Sequence, residues 1–163
     1  MKSKLKKIME KNREDIIMTL PGFINQLLLL MNSGVTAQEA FVKIGESYGR
    51  LPEERQNYFT REITGITEAS QRTGESVIVG FYRFSRFSGV KELTRAANIL
   101  MENRDRGTDL WEKLAEQGEA LWAERKRMAM EKIRLAESKM SFPLGIMLMA
   151  LIIITAAPAM MQI

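Results

Sequence analysis

An all-α fold follows from three features of the sequence. Apolar residues recur at three- and four-residue spacing, no run of strict alternation is bounded by hairpin turns, and Gly or Pro punctuates the chain at helix-length intervals. The architecture they predict is an antiparallel helical bundle, then a long helix that runs into one C-terminal transmembrane helix. Three parts are expected: a basic amphipathic helix over residues 1–19, a helical domain over 20–139, and a membrane helix over 140–163.

The first helix places Leu5, Ile8, Met9, Ile16 and Leu20 on one face, with Lys2, Lys4, Lys6, Lys7, Lys11 and Arg13 crowded around it. Pro21 suits the first turn of a new helix, "PGFINQLLLLMNSG", which Gly34 closes. The segment "TAQE" at 36–39 is a capping box and opens a helix to about Ser47. Pro52 then opens a longer helix, apolar at Phe59, Ile63, Ile66 and Ala69 and ending at Gly74. A short aromatic helix over 76–87 stops at Gly89, another over about 90–105 stops at Gly107, and Asp109 caps a long final helix.

Three segments, "GVTAQEAF" (34–41), "GESVIVGF" (74–81) and "GTDLWEKL" (107–114), share a pattern. Each has Gly first, a capping residue two later (Thr36, Ser76, Asp109) and a bulky apolar residue seven later. The pattern is either a duplication or the common grammar of amphipathic helices that end on Gly. In the final helix Leu114, Leu121, Met128 and Leu135 recur every seven residues, a seam for another helix. It serves either packing within the bundle or, from Met128 onward, pairing with a second subunit.

The chain changes character at Lys139, its last charged residue. From Met140 to about Met161 runs an uncharged stretch of roughly 20 residues, about 30 Å of helix, which matches the hydrocarbon thickness of a bilayer. Pro143 falls in or near its first turn, where a missing N–H costs least, and Pro158 falls near its end. Arg125, Lys126, Arg127, Lys132, Arg134 and Lys139 precede it and no cation follows, so the positive-inside rule puts the N-terminal part in the cytoplasm of a single-pass inner-membrane protein. The basic start has no continuous apolar run behind it, so no cleaved signal peptide is expected.

Enzymatic chemistry finds little to work with. The 163 residues contain no Cys and no His, which excludes disulfides, thiolate catalysis and the usual zinc sites, and no cofactor or metal is expected. No phosphate-binding glycine loop and no nucleophile elbow occurs. The carboxylate pairs Glu53–Glu54 and Glu112/Glu116 fall on expected solvent faces beside Lys or Arg. "FYRFSRF" (81–87) interleaves aromatics with Arg83 and Arg86, but Val77, Phe81 and Phe84 share a helical face suited to a core, so nucleic acid is not an expected partner.

The order of segments from Leu20 onward resembles the type II secretion system F family, particularly its tight-adherence (Tad) pilus branch. The resemblance rests on three stretches: "LPGFINQLLLLMNSGVTAQEAF", "GFYRFSRFSGVKELTRAANILMENRDRGTDLWEKLAEQ" and "ERKRMAMEKIRLAESKMSFPLGIMLMALIIITAAP". The last is similar to the family's basic helix, its Lys139 approach, its Pro143 entry and its Pro158 close. The resemblance implies a platform protein without catalysis of its own, working with an assembly ATPase, pilin or pseudopilin subunits, membrane lipid and a paralogous platform subunit, in a homo- or hetero-oligomer. It also implies further membrane helices upstream; none precedes residue 20 here, and the basic start resembles the linker that would follow them. A reading from another class is a C-terminally anchored helical regulatory or binding protein outside any secretion machine.

Overall fold

The computed structural model describes the backbone of residues 2–102 and 107–161; within the last helix no side chain is described at 107–108, 137–142 or 157–161. Every regular element among these residues is helical: α1 (Lys2–Asn32), α2 (Ala37–Gly49), a 3-10 turn (Glu53–Arg55), α3 (Tyr58–Thr73), α4 (Val77–Ser88), α5 (Lys91–Glu102) and α6 (Gly107–Met161). The chain divides into two compact units, Met1–Arg125 and Lys126–Ile163, and α6 crosses the boundary.

The helix expected to restart at Pro21 does not; α1 runs through that residue. A proline inside a helix removes one backbone hydrogen bond and costs about 3 kcal/mol. Here Ile16, Ile17 and Leu20 before it and Phe23, Ile24 and Leu27 after it are all buried on one continuous face. At about 1.5–3 kcal/mol for each buried side chain, that face outweighs the lost bond.

Phe23 is the hub of the first unit. Its ring centroid lies 5.2 Å from Phe41 of α2, 5.5 Å from Phe59 of α3 and 5.5 Å from Phe81 of α4, and Phe41 and Phe81 lie 5.4 Å apart. Each of the four helices thus contributes one fully buried phenylalanine, several in the edge-on geometry that aromatic quadrupoles favour. Val77, Phe81 and Phe84 are buried on one face of α4, as their spacing predicts.

Helix α3 fits between α2 and α4 because both offer it glycines. A Cβ at Gly45 would meet Thr67 Oγ1 and come within 2.8 Å of Thr67 Cβ; one at Gly80 would come within 2.8 Å of Ile66 Cγ2. The start of α3 departs from expectation. Pro52 opens only the 3-10 turn, and Asn57 caps α3 five residues later. The Asn57 side chain accepts from Thr60 N–H at 2.9 Å while Thr60 Oγ1 accepts from Asn57 N–H at 2.9 Å. From α1, Asp15 Oδ2 accepts from Tyr58 N–H at 3.1 Å and Thr19 Oγ1 takes the Asn57 Nδ2 donor at 2.7 Å. A carboxylate at that helix end also complements the macrodipole.

Three of the expected helix stops hold, whereas Gly107, expected to stop the preceding helix, is the first residue of α6. Gly34, Gly74 and Gly89 have φ of 92°, 75° and 67°, the left-handed region where glycine alone is unstrained. Thr36 Oγ1 caps α2 by accepting from Glu39 N–H at 3.3 Å. Of the three repeat segments, the seventh-residue positions Phe41, Phe81 and Leu114 are all fully buried. The caps are not equivalent: Ser76 makes no side-chain cap, and Asp109 sits inside the first turn of α6, which begins at Gly107. The expected continuation of α5 over 103–105 lies outside the described residues.

Within the first unit, α6 buries Leu110, Leu114, Gln117 and Leu121. Position 118 faces α1: a Cβ on Gly118 would stand 3.4 Å from Ile24 Cγ2. In the second unit the helix continues to Met161, and every described side chain there except half-buried Met128 is exposed.

Candidate interaction surfaces

No cluster of three or more potential metal ligands occurs among the described residues, and Glu53, Glu54, Glu112 and Glu116 are all exposed. The features that remain are surfaces. Three stand out.

The first is a groove of about 640 Å³ between α3 and α4, lined by Tyr58, Glu62, Ile66, Glu75, Arg83 and Phe87 among others. Gly80 lets the two helices approach at its floor, and Arg83 on its rim pairs with Glu75. Both partners are well exposed, so the pair orients the rim and adds little stability. Burial, then the Glu62 carboxylate, pushes the Tyr58 hydroxyl above its ordinary pKa of 10.0, so it remains a neutral donor at physiological pH.

The second is a groove of about 810 Å³ where the early turns of α1 meet the α4–α5 turn. Lys6, Met9, Arg13 and Ile16 form one wall; Phe87, Ser88, Val90 and Lys91 belong to the other. Phe87 is 84% exposed, although it follows a run of buried aromatics. Its spacing explains this: Val77, Phe81 and Phe84 hold the core-facing positions, and Phe87 falls about 80° round the helix from that face. Leu5, Ile8 and Met9 extend the apolar wall outward and are 62%, 56% and 64% exposed. Sequence reasoning placed these three on an apolar face but gave no sign that the face outruns its cover, and it passed over Phe87.

The third is the C-terminal stretch. Among the described residues its apolar part is Pro143–Ala156, about 21 Å of helix, and all of it is exposed. Among the described residues, the helix long and apolar enough by length and composition to cross a membrane is α1, near the N-terminus. Of the apolar residues in that helix, Ile16, Ile17, Leu20, Phe23, Ile24 and Leu27 are buried, whereas Leu29 is exposed. Pro143 lies inside α6 and exposed; the side chains of Lys139 and Pro158 lie outside the described residues. Thr155, the hydroxyl within this stretch, donates to Leu151 O at 2.9 Å, so it leaves no unsatisfied O–H.

The seven-residue seam is split. Leu114 and Leu121 are buried within the first unit, whereas Met128 is half-buried and Leu135 is 62% exposed. The structure therefore gives the first two residues to the chain's own core and leaves Leu135 on the surface.

Comparison with known proteins adds one finding. The family model for type II secretion system (T2SS), protein F, matches residues 23–158, which takes in the aromatic hub, the α3–α4 groove, part of the second groove and the C-terminal apolar stretch. No curated protein and no solved structure matches the chain.

Proposed function

The chain belongs to the type II secretion system protein F family, whose members are inner-membrane-associated platform proteins of type II secretion and type IV pilus systems, and we propose that it serves as such a platform in a Tad-like pilus. In this reading the helical unit lies in the cytoplasm, the stretch that includes Pro143–Ala156 anchors it, and the helical unit receives the assembly ATPase or a paralogous platform subunit. The protein performs no catalysis; it holds pilin or pseudopilin subunits in place while the motor moves them.

One observation carries the proposal. The family match runs without interruption from the packed core into an apolar helix whose described side chains are all exposed, in a chain with no histidine or cysteine to support an enzyme. Exposed apolar side chains of this length need a non-aqueous neighbour. The six cations between residues 125 and 139 support cytoplasmic placement of the helical unit.

Deletion of the gene should abolish surface fibres while pilin is still made and stays in the membrane. Normal fibres in a clean deletion would refute the role. The complementary measurement is purification of the tagged chain in mild detergent, with the assembly ATPase expected to accompany it.

A further inference from the structure

The early turns of α1 hold an apolar stripe with no cover in the first unit. Leu5, Met9, Asn12 and Ile16 stand at successive three- and four-residue steps with Ile8 beside Met9, so they share the face that Leu20, Phe23 and Leu27 bury farther along. Cover begins at Ile16, which is 1% exposed, while Leu5, Ile8 and Met9 lie open. Phe87 adds a fourth apolar side chain across the groove from Met9.

Charge brackets this stripe on both sides. Lys2, Lys6 and Arg13 project along one flank; Lys4, Lys7 and Lys11 project along the other. Over residues 2–13 these six cations face the single carboxylate of Glu10. The groove itself is nearly balanced, with Lys6, Arg13 and Lys91 against Glu10 and Glu92, so the positive field comes from the outer turns of the helix.

We propose that residues 2–13 of α1, together with Phe87, form a surface that lies on anionic lipid, with Leu5, Ile8, Met9 and Phe87 entering the headgroup boundary and the lysines meeting its phosphates. The composition selects lipid over a protein partner. Five of the six cations are lysine, a residue depleted at protein–protein contacts and abundant on the polar flanks of helices that lie in a membrane interface. A membrane-associated protein also has such a surface within reach, because the cytoplasmic leaflet carries the negative potential that draws basic segments. The contact fixes how the helical unit is presented and is separate from fibre assembly, so it stands or falls independently of the platform role.

The absence of native cysteine makes a direct test possible with the full chain. An environment-sensitive dye is attached at Ile8→Cys, and the chain is reconstituted into vesicles of phosphatidylcholine alone or mixed in equal parts with phosphatidylglycerol, both doped with an acyl-chain nitroxide quencher. Leu29→Cys, 71% exposed near the far end of α1, serves as control. The dye at position 8 should be quenched in the anionic vesicles and the dye at position 29 should not. Each cation near such a surface contributes about a fivefold change in the bound-to-free ratio. The triple change Lys2→Gln, Lys6→Gln, Arg13→Gln should therefore reduce quenching severely, as should salt that shortens the Debye length from about 10 Å to about 3 Å. These variants alter exposed side chains, so helicity is expected to be retained. Equal quenching in neutral and anionic vesicles, or none in either, overturns the proposal. So does a dye at position 8 that is already shielded in detergent micelles, which would assign the stripe to a second copy of the chain.

Discussion

Two apolar stretches of this chain meet opposite fates. Residues 16–27 of α1 contain Ile16, Ile17, Leu20, Phe23, Ile24 and Leu27, all buried by helices from the same unit. Pro143–Ala156 of α6 contains Leu144, Leu151, Ile152, Ile153 and Ile154, each more than half exposed. Among the described residues α1 passes the length and hydropathy test of a membrane span even though one of its faces is covered. What differs is cover. The α1 stretch is apolar on one face, and Asn25 and Gln26 on its other side reach water; the α6 stretch is apolar all round, so no single packed neighbour could cover it.

The largest expected effect attacks the covered stretch. Phe23→Ala removes the ring that joins four helices and should cost about 3–5 kcal/mol of stability, read by urea unfolding of the detergent-solubilised chain. Membrane retention of the variant should be unchanged. The reciprocal change, Ile153→Lys, should leave the unfolding curve where it is but weaken insertion by about 3 kcal/mol, the cost of a cation near the bilayer centre. Fractionation of cells carrying each variant checks the pair. If Ile153→Lys unfolds the helical unit, the two stretches are not independent.

A smaller effect comes from pH. Burial pushes the Tyr48 hydroxyl from 10.0 up to about 12, because its anion would lose water without gaining a partner charge. The unfolded chain therefore releases this proton first. The stabilisation is fully present below pH 10 and is lost as pH rises to about 12, by roughly 2–3 kcal/mol. Tyr48→Phe should flatten that slope in unfolding curves at the two pH values. The smallest effect is local: Asn57→Ala deletes the α3 cap and its bond to Thr19, for about 1 kcal/mol, with no change in membrane retention.

Much of the fold was legible in the sequence, for reasons that particular residues make plain. Gly34, Gly74 and Gly89 announced helix ends because only glycine enters the left-handed region without strain. Val77, Phe81 and Phe84 announced a buried face by their spacing. The interaction surfaces were less legible. Met9 and Phe87 lie far apart in the chain and share one groove, and no local pattern pairs them. The seam from Leu114 to Leu135 was visible as a repeat, but the repeat does not say that cover ends between Leu121 and Leu135.

The sequence by itself determined that the chain is helical, where most helices stop, and which side chains water rejects. These properties depend on backbone sterics and hydrogen bonds among residues a few positions apart. Tertiary structure alone decided that α1 continues through Pro21, that α3 begins at Asn57 under Asp15 and Thr19, and that Thr67 seats against Gly45. Each of those outcomes balances a local cost against burial supplied by residues far away in the chain, and such neighbours exist only once the helices have packed.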